Sequence, residues 1–124
     1  MESDNKGMAK AKSKAFAIRI INLYKYLSTD KQEHVLSKQI LRSGTSIGAN
    51  IAEAEYAISR NEFLSKVYIA LKECSETLYW LELLHDTAYL TEEQYTSLLA
   101  DGTELKKILI ATTKTMKPRN SPSA

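Results

Sequence analysis

The sequence predicts an all-α protein, an antiparallel up-down-up-down four-helix bundle. Three observations carry that prediction. Breakers are scarce: the 124 residues contain four Gly and two Pro, and no Pro precedes Pro118, which favours long helices over a many-turned sheet. Apolar residues recur at steps of three and four in four separate stretches. The stretches are divided by helix-start signals, in which Asp30, Ser59 and Thr91 are each followed three residues later by Glu33, Glu62 and Gln94.

Residues 1–9 show no periodicity and are expected to be disordered. The domain then runs over residues 10–117, and residues 118–124 form a disordered tail. Helix one is predicted from about Ala11 to Leu27, on the stripe Phe16, Ile20, Leu23 and Leu27. Asp30 and Glu33 make a capping-box-like start for helix two, expected over about Lys31 to Ile58. Its core face is Ile40, Ile47, Ile51, Ala54 and Ile58. Gly44, Gly48 and Ala52 fall at i, i+4 and i+8 on a second face with almost no side chain. A glycine inside a helix costs about 1 kcal/mol relative to alanine, so two on one stripe imply that another backbone comes close. Ser59 to Glu62 opens helix three with hardly any loop, on Phe63, Val67, Ala70, Cys74, Leu78, Leu81 and His85. Ala88-Tyr89-Leu90 connects it to helix four, which starts at the Thr91/Gln94 box and buries Leu98, Gly102, Leu105, Leu109 and Thr112. Pro118 ends it.

The hydrophobic share of 44% and charged share of 26% suit a globular chain. No apolar run reaches the ~18 residues of a membrane span. The first residues lack the apolar core of a signal peptide, so a cytoplasmic location is expected. The single Cys74 cannot form an internal disulfide, which fits a reducing compartment.

The net charge of +2 hides an uneven distribution. Residues 1–29 carry +4, residues 30–66 are neutral, residues 67–104 carry −7 and residues 105–124 carry +5. The predicted topology gathers Lys10, Lys12, Lys14, Arg60, Lys114, Lys117 and Arg119 at one end of the bundle. Asp30, Glu33, Glu82, Asp86, Glu92 and Glu93 fall at the other. The basic pole is a candidate for phosphate contact, against the ordinary preference of cations for helix C-termini.

No catalytic constellation emerges. Glu82-x-x-His85 has the Glu-x-x-His spacing of di-iron bundles, but such sites need the motif on two helices, and here it stands alone. No other His/Cys/Asp/Glu spacing fits a metal. Cys74 reads as a small core hydrophobe. Ser43, Thr45 and Ser46 are not in a nucleophile elbow, and no Gly-Lys-Ser/Thr follows the glycines, so the stretch is not a phosphate loop. No cofactor, metal site or enzymatic activity is expected. Asn50 and Glu53 either face water or lie at a subunit or helix contact, where a buried Asn would set register. Tyr56, Tyr68, Tyr79, Trp80 and Tyr89 suit interfaces and bundle rims alike.

The residues Ser46-Ile47-Gly48-Ala49-Asn50-Ile51-Ala52-Glu53-Ala54, followed by Arg60 and Glu62-Phe63, resemble the Ser-Ile-x-x-Asn-Ile-Ala-Glu-Gly core of a known family. It is the four-helix-bundle family of 23S rRNA intervening-sequence proteins, which also includes accessory proteins of diversity-generating retroelements. Gln39-Ile40-Leu41-Arg42, Tyr68-Ile69-Ala70, the Glu76 region and Ala88-Tyr89-Leu90 extend the resemblance over about residues 14–117. Ala54 replaces the motif glycine, and Lys72-Glu73 replaces a small pair on helix three. The resemblance implies a bundle that assembles into a homopentamer, without enzymatic activity. It also implies that the accessory members contact nucleic acid and a polymerase.

The expected function is therefore a non-enzymatic homo-oligomer that contacts RNA or DNA through Lys10, Lys12, Lys14, Arg60, Lys114 and Lys117. Ser46, Gly48, Asn50 and Glu53 are the candidate structural signature or subunit contact. The alternative is a protein–protein scaffold, or an adaptor like the reverse-transcriptase accessory proteins, that binds a protein partner and no nucleic acid. No membrane partner is expected.

Overall fold

The computed structural model describes the backbone of residues 2–115 and the side chains of residues 7–115. These residues form four helices and no strand: α1 (Glu2–Thr29), α2 (Leu36–Ala54), α3 (Arg60–Asp86) and α4 (Glu92–Thr115). Each helix packs on two others, α1 on α2 and α4, and α3 on α2 and α4. Cross-helix partners run in opposed numerical order. Ile20 meets Gly44 and Ser13 meets Gly48 between α1 and α2, while Ser43 meets Thr77 and Glu53 meets Lys66 between α2 and α3.

α1 begins nine residues earlier than its periodicity suggests, because residues 2–9 are helical rather than disordered. Nothing in that stretch breaks a helix once the amphipathic part is docked, and propagation costs far less than nucleation. Ala9 is already buried in the core. The stripe itself is as expected: Phe16, Ile20, Leu23 and Leu27 are all buried.

α2 is shorter at both ends than the expected Lys31–Ile58. At the start, Gln32 takes a positive φ of 55°, a left-handed conformation that interrupts any helix. Asp30 does not act as the cap. Glu33 does: its Oε1 accepts from the Ser37 amide at 2.7 Å, and its Oε2 accepts from Leu36 at 3.0 Å and Val35 at 3.3 Å. The carboxylate thereby occupies the positive end of the helix dipole. At the other end, the amides of Glu55, Tyr56 and Ala57 bond carbonyls three residues back, and the chain leaves the helix through Glu55–Ser59. Ile58, expected in the core, is 90% exposed in this joint. Ala52, expected on the close-packed glycine face, is exposed as well.

α3 starts as its capping box requires. Ser59 Oγ accepts from the Glu62 amide at 3.0 Å, and the Glu62 carboxylate reaches back one residue further than usual, to the Ile58 amide at 3.3 Å. Its buried stripe includes Val67, Ala70, Cys74 and Leu81, but Leu84 and Thr77 are fully buried where Leu78 and His85 were expected. The Thr77 and Ser43 hydroxyls lie 2.8 Å apart in the core and link α3 to α2. Each also has a carbonyl on its own helix as partner, so this buried polar pair is satisfied.

α3 ends in a Schellman motif: the Tyr89 amide bonds Leu84 O at 2.9 Å and the Ala88 amide bonds His85 O at 3.0 Å. The residue at the turn is Ala88, with φ of 67°, where glycine is the usual choice. Ala88→Gly relieves that strain while keeping the amide bond. The expected gain is about 0.5–1 kcal/mol after the added freedom of the unfolded chain, checked by the midpoint of urea unfolding.

α4 opens with a reciprocal capping box. The Thr91 amide donates to Gln94 Oε1 at 2.9 Å, and the Gln94 amide donates to Thr91 Oγ1 at 3.1 Å. Leu98, Gly102, Leu105, Leu109 and Thr112 are all buried, as the pattern indicates. Lys117 and the expected tail over 118–124 lie outside the described residues.

Candidate nucleic-acid interface

All four helices meet around one cavity of about 400 Å³. Its walls are Ala9 from α1, Ile51 from α2, Phe63 and Val67 from α3, and Leu109 from α4. Glu55 and Ser59 of the α2–α3 joint and Arg60 at the start of α3 also line it. Arg60 is half-buried, held there by its place as the first residue of α3. The joint also presents Tyr56 to solvent at 83% exposure, between the cavity-lining residues Glu55 and Ala57.

The predicted cations divide into two groups around this feature. Lys10 follows cavity-lining Ala9, and its Nζ lies 3.0 Å from Glu55 Oε1. Lys12 pairs with Glu104 at 3.2 Å. Both pairs are exposed, so each is worth little to stability and yields readily to another anion. Lys14 and Lys114 are exposed and make no ion pair among the described residues. Lys114 sits in the last turn of α4, two residues beyond the cavity-lining Thr112. The chain's own carboxylates thus offset part of the basic pole.

The signature residues lie on the neighbouring stretch of α2. Ser46 Oγ donates to Arg42 O at 2.7 Å, and Asn50 Nδ2 donates to Ser46 O at 2.9 Å, so both bond their own helix. Glu53 is exposed and binds Lys66 of α3 at 2.7 Å. Gly48 allows the close approach its spacing implies: a Cβ there would lie 3.5 Å from the Ser13 carbonyl oxygen of α1.

Two further clusters have structural partners. Arg42 bridges α2 to α3, with Nη1 at 3.3 Å from Glu73 and Nη2 bonded to Glu76. Glu76 also accepts from Trp80 Nε1 at 3.0 Å. The Trp80 bond first, and Arg42 second, holds the Glu76 carboxyl below its ordinary range. Glu73 therefore serves as an ion-pair partner of Arg42. At the opposite end of α3, His85 lies 2.7 Å from Glu92 and 3.0 Å from Asp86 and stacks on Tyr95. The hydrogen bonds to Glu92 and then Asp86 raise its pKa. Burial pushes the Cys74 thiol up to about 11, which removes the thiolate needed for reactivity. Among the described residues no group of three His, Cys, Asp or Glu is placed to hold a metal, and no helix is long and apolar enough to cross a membrane.

Sequence reasoning missed the cavity. Its walls come from residues as far apart as Ala9 and Leu109, and no local pattern brings them together. The one pointer was Phe63, three residues after Arg60 at the start of α3.

The chain matches the family model described as 23S rRNA-intervening sequence protein over residues 6–111. It is also similar to a crystal structure from Bacteroides thetaiotaomicron, that of a protein of unknown function from the S23 ribosomal protein family. The two are 58% identical with a TM-score of 0.88, over 89% of this chain and 98% of that one. No curated protein matches the chain.

Proposed function

Because the chain belongs to the family of 23S rRNA-intervening sequence proteins, we propose that it is a non-enzymatic, cytoplasmic, homo-oligomeric bundle that contacts RNA or DNA through its basic pole. The observation that carries this reading is the rim of the end cavity. Arg60 of α3 lines it, Lys10 of α1 pairs with the lining Glu55, and Lys114 of α4 stands two residues beyond the lining Thr112, while Tyr56 is exposed between the lining residues Glu55 and Ala57. Cations around an exposed aromatic are the combination that binds phosphates and unstacked bases.

The test is binding to a structured RNA across a salt series. Affinity falls as salt rises, because bound lysines release counterions. Lys14→Gln and Lys114→Gln each lower the slope of log affinity against log salt by about one. Absence of any binding at low salt overturns the proposal.

The bundle itself is read as up-down-up-down, supported by the opposed order of its cross-helix pairs. It is read as a pentamer on the family resemblance. Exposed Ile18, Tyr68 and Tyr79 support association with another protein surface. Light scattering gives the mass of a pentamer; a monomer at micromolar concentration refutes it. The same exposed side chains favour the second reading, a scaffold for a protein partner. A pull-down that returns one partner and survives nuclease selects it.

A further inference from the structure

We propose that the end cavity seats one unpaired base of a single-stranded nucleic acid, with Arg60 at its rim toward the adjoining phosphate; this rests on the reading above. The cavity volume of about 400 Å³ lies within the range of small-ligand sites. It stays open because three of its wall positions, Ala9, Ala54 and Ala57, carry only a methyl group. Phe63 supplies an aromatic wall, and base–aromatic stacking accepts any base because each has a π-face.

The polar groups restrict the choice. Ser59 Oγ already accepts from the Glu62 amide, and Thr112 Oγ1 donates to Ile108 O at 2.9 Å. Glu55 pairs with Lys10 through Oε1, and a carboxylate has further lone pairs to offer. A carboxylate accepts and does not donate, so it favours a base with an exocyclic amino group, cytosine, adenine or guanine, over uracil. A duplex keeps its bases stacked and paired, so only an unpaired base can enter. Tyr56, exposed between the lining residues Glu55 and Ala57, would offer its ring to the next base along the strand.

The experiment compares three probes at low salt by fluorescence anisotropy. They are a short single-stranded RNA of cytosine and adenine, an abasic ribose–phosphate strand of equal length, and a duplex of that RNA. The base-bearing strand binds on the order of tenfold tighter than the abasic strand, and the duplex gains nothing over the abasic strand. In methyl NMR spectra of the unaltered protein, Ile51, Val67 and Leu109 shift with the base-bearing strand and not with the abasic one. Ala57→Leu fills the cavity without changing charge. It brings the two strands to near-equal affinity and leaves abasic binding as it was.

Equal binding of the two single strands, methyl shifts identical for both, or an unchanged ratio in a folded Ala57→Leu protein overturns the seat while leaving the basic pole intact. No binding of any probe overturns both. If Ala57→Leu does not fold, the methyl shifts of the unaltered protein decide.

Discussion

Glu33→Ala lowers the unfolding free energy by about 2–3 kcal/mol, the scale of a lost helix cap made through a charged acceptor. Glu33 is only 9% exposed, and its two oxygens take three successive amides at the start of α2. Without the carboxylate those donors lose their partners in a place water reaches poorly. Glu33→Gln costs nearly as much. Whichever way the amide is turned, its NH2 group faces an N–H that needs an acceptor. Urea unfolding measures both changes, and amide exchange at Val35, Leu36 and Ser37 quickens in both. A Gln variant as stable as the parent would show that charge and acceptor geometry at this cap are unimportant.

Gly44→Ala destabilises the bundle by about 1–2 kcal/mol, although alanine is the better helix former by about 1 kcal/mol. A Cβ at Gly44 would lie 2.7 Å from Ile20 Cγ2 and 3.1 Å from Ile20 Cβ. Ile20 is fully buried, and its Cβ is tied to the α1 backbone, so no side-chain rotation clears the clash. The helices must separate or Ile20 must leave its rotamer. Gly48 lies on the same stripe, yet its nearest neighbour is Ser13 Oγ at 3.3 Å, an atom that can give. Gly48→Ala is therefore expected within about 0.5 kcal/mol of the parent, its propensity gain offsetting a small local shift. Running both variants in one urea series isolates the packing contribution. Equal midpoints would refute it.

The charge pole illustrates why a site is harder to read than a fold. Lys10, Lys12 and Lys14 stand together in the sequence, but Lys10 and Lys12 meet Glu55 and Glu104 in space. Lys14 makes no such pair among the described residues. Their difference lies in which carboxylate the bundle brings near.

The sequence by itself determined the four helices, the buried stripes of α1 and α4, the caps at Ser59/Glu62 and Thr91/Gln94, and the family to which the chain belongs. Helical period and capping act over three or four residues, so a single chain carries them openly. Tertiary structure alone decided where α2 begins and ends, since Glu33 takes up its amides only after Gln32 has turned through a left-handed conformation. It alone paired Ser43 with Thr77 and Arg42 with Glu73, and enclosed the cavity between Ala9 and Leu109. Those partners lie from about thirty to a hundred residues apart, and a polar or small side chain shows no periodicity that names the distant group it will meet.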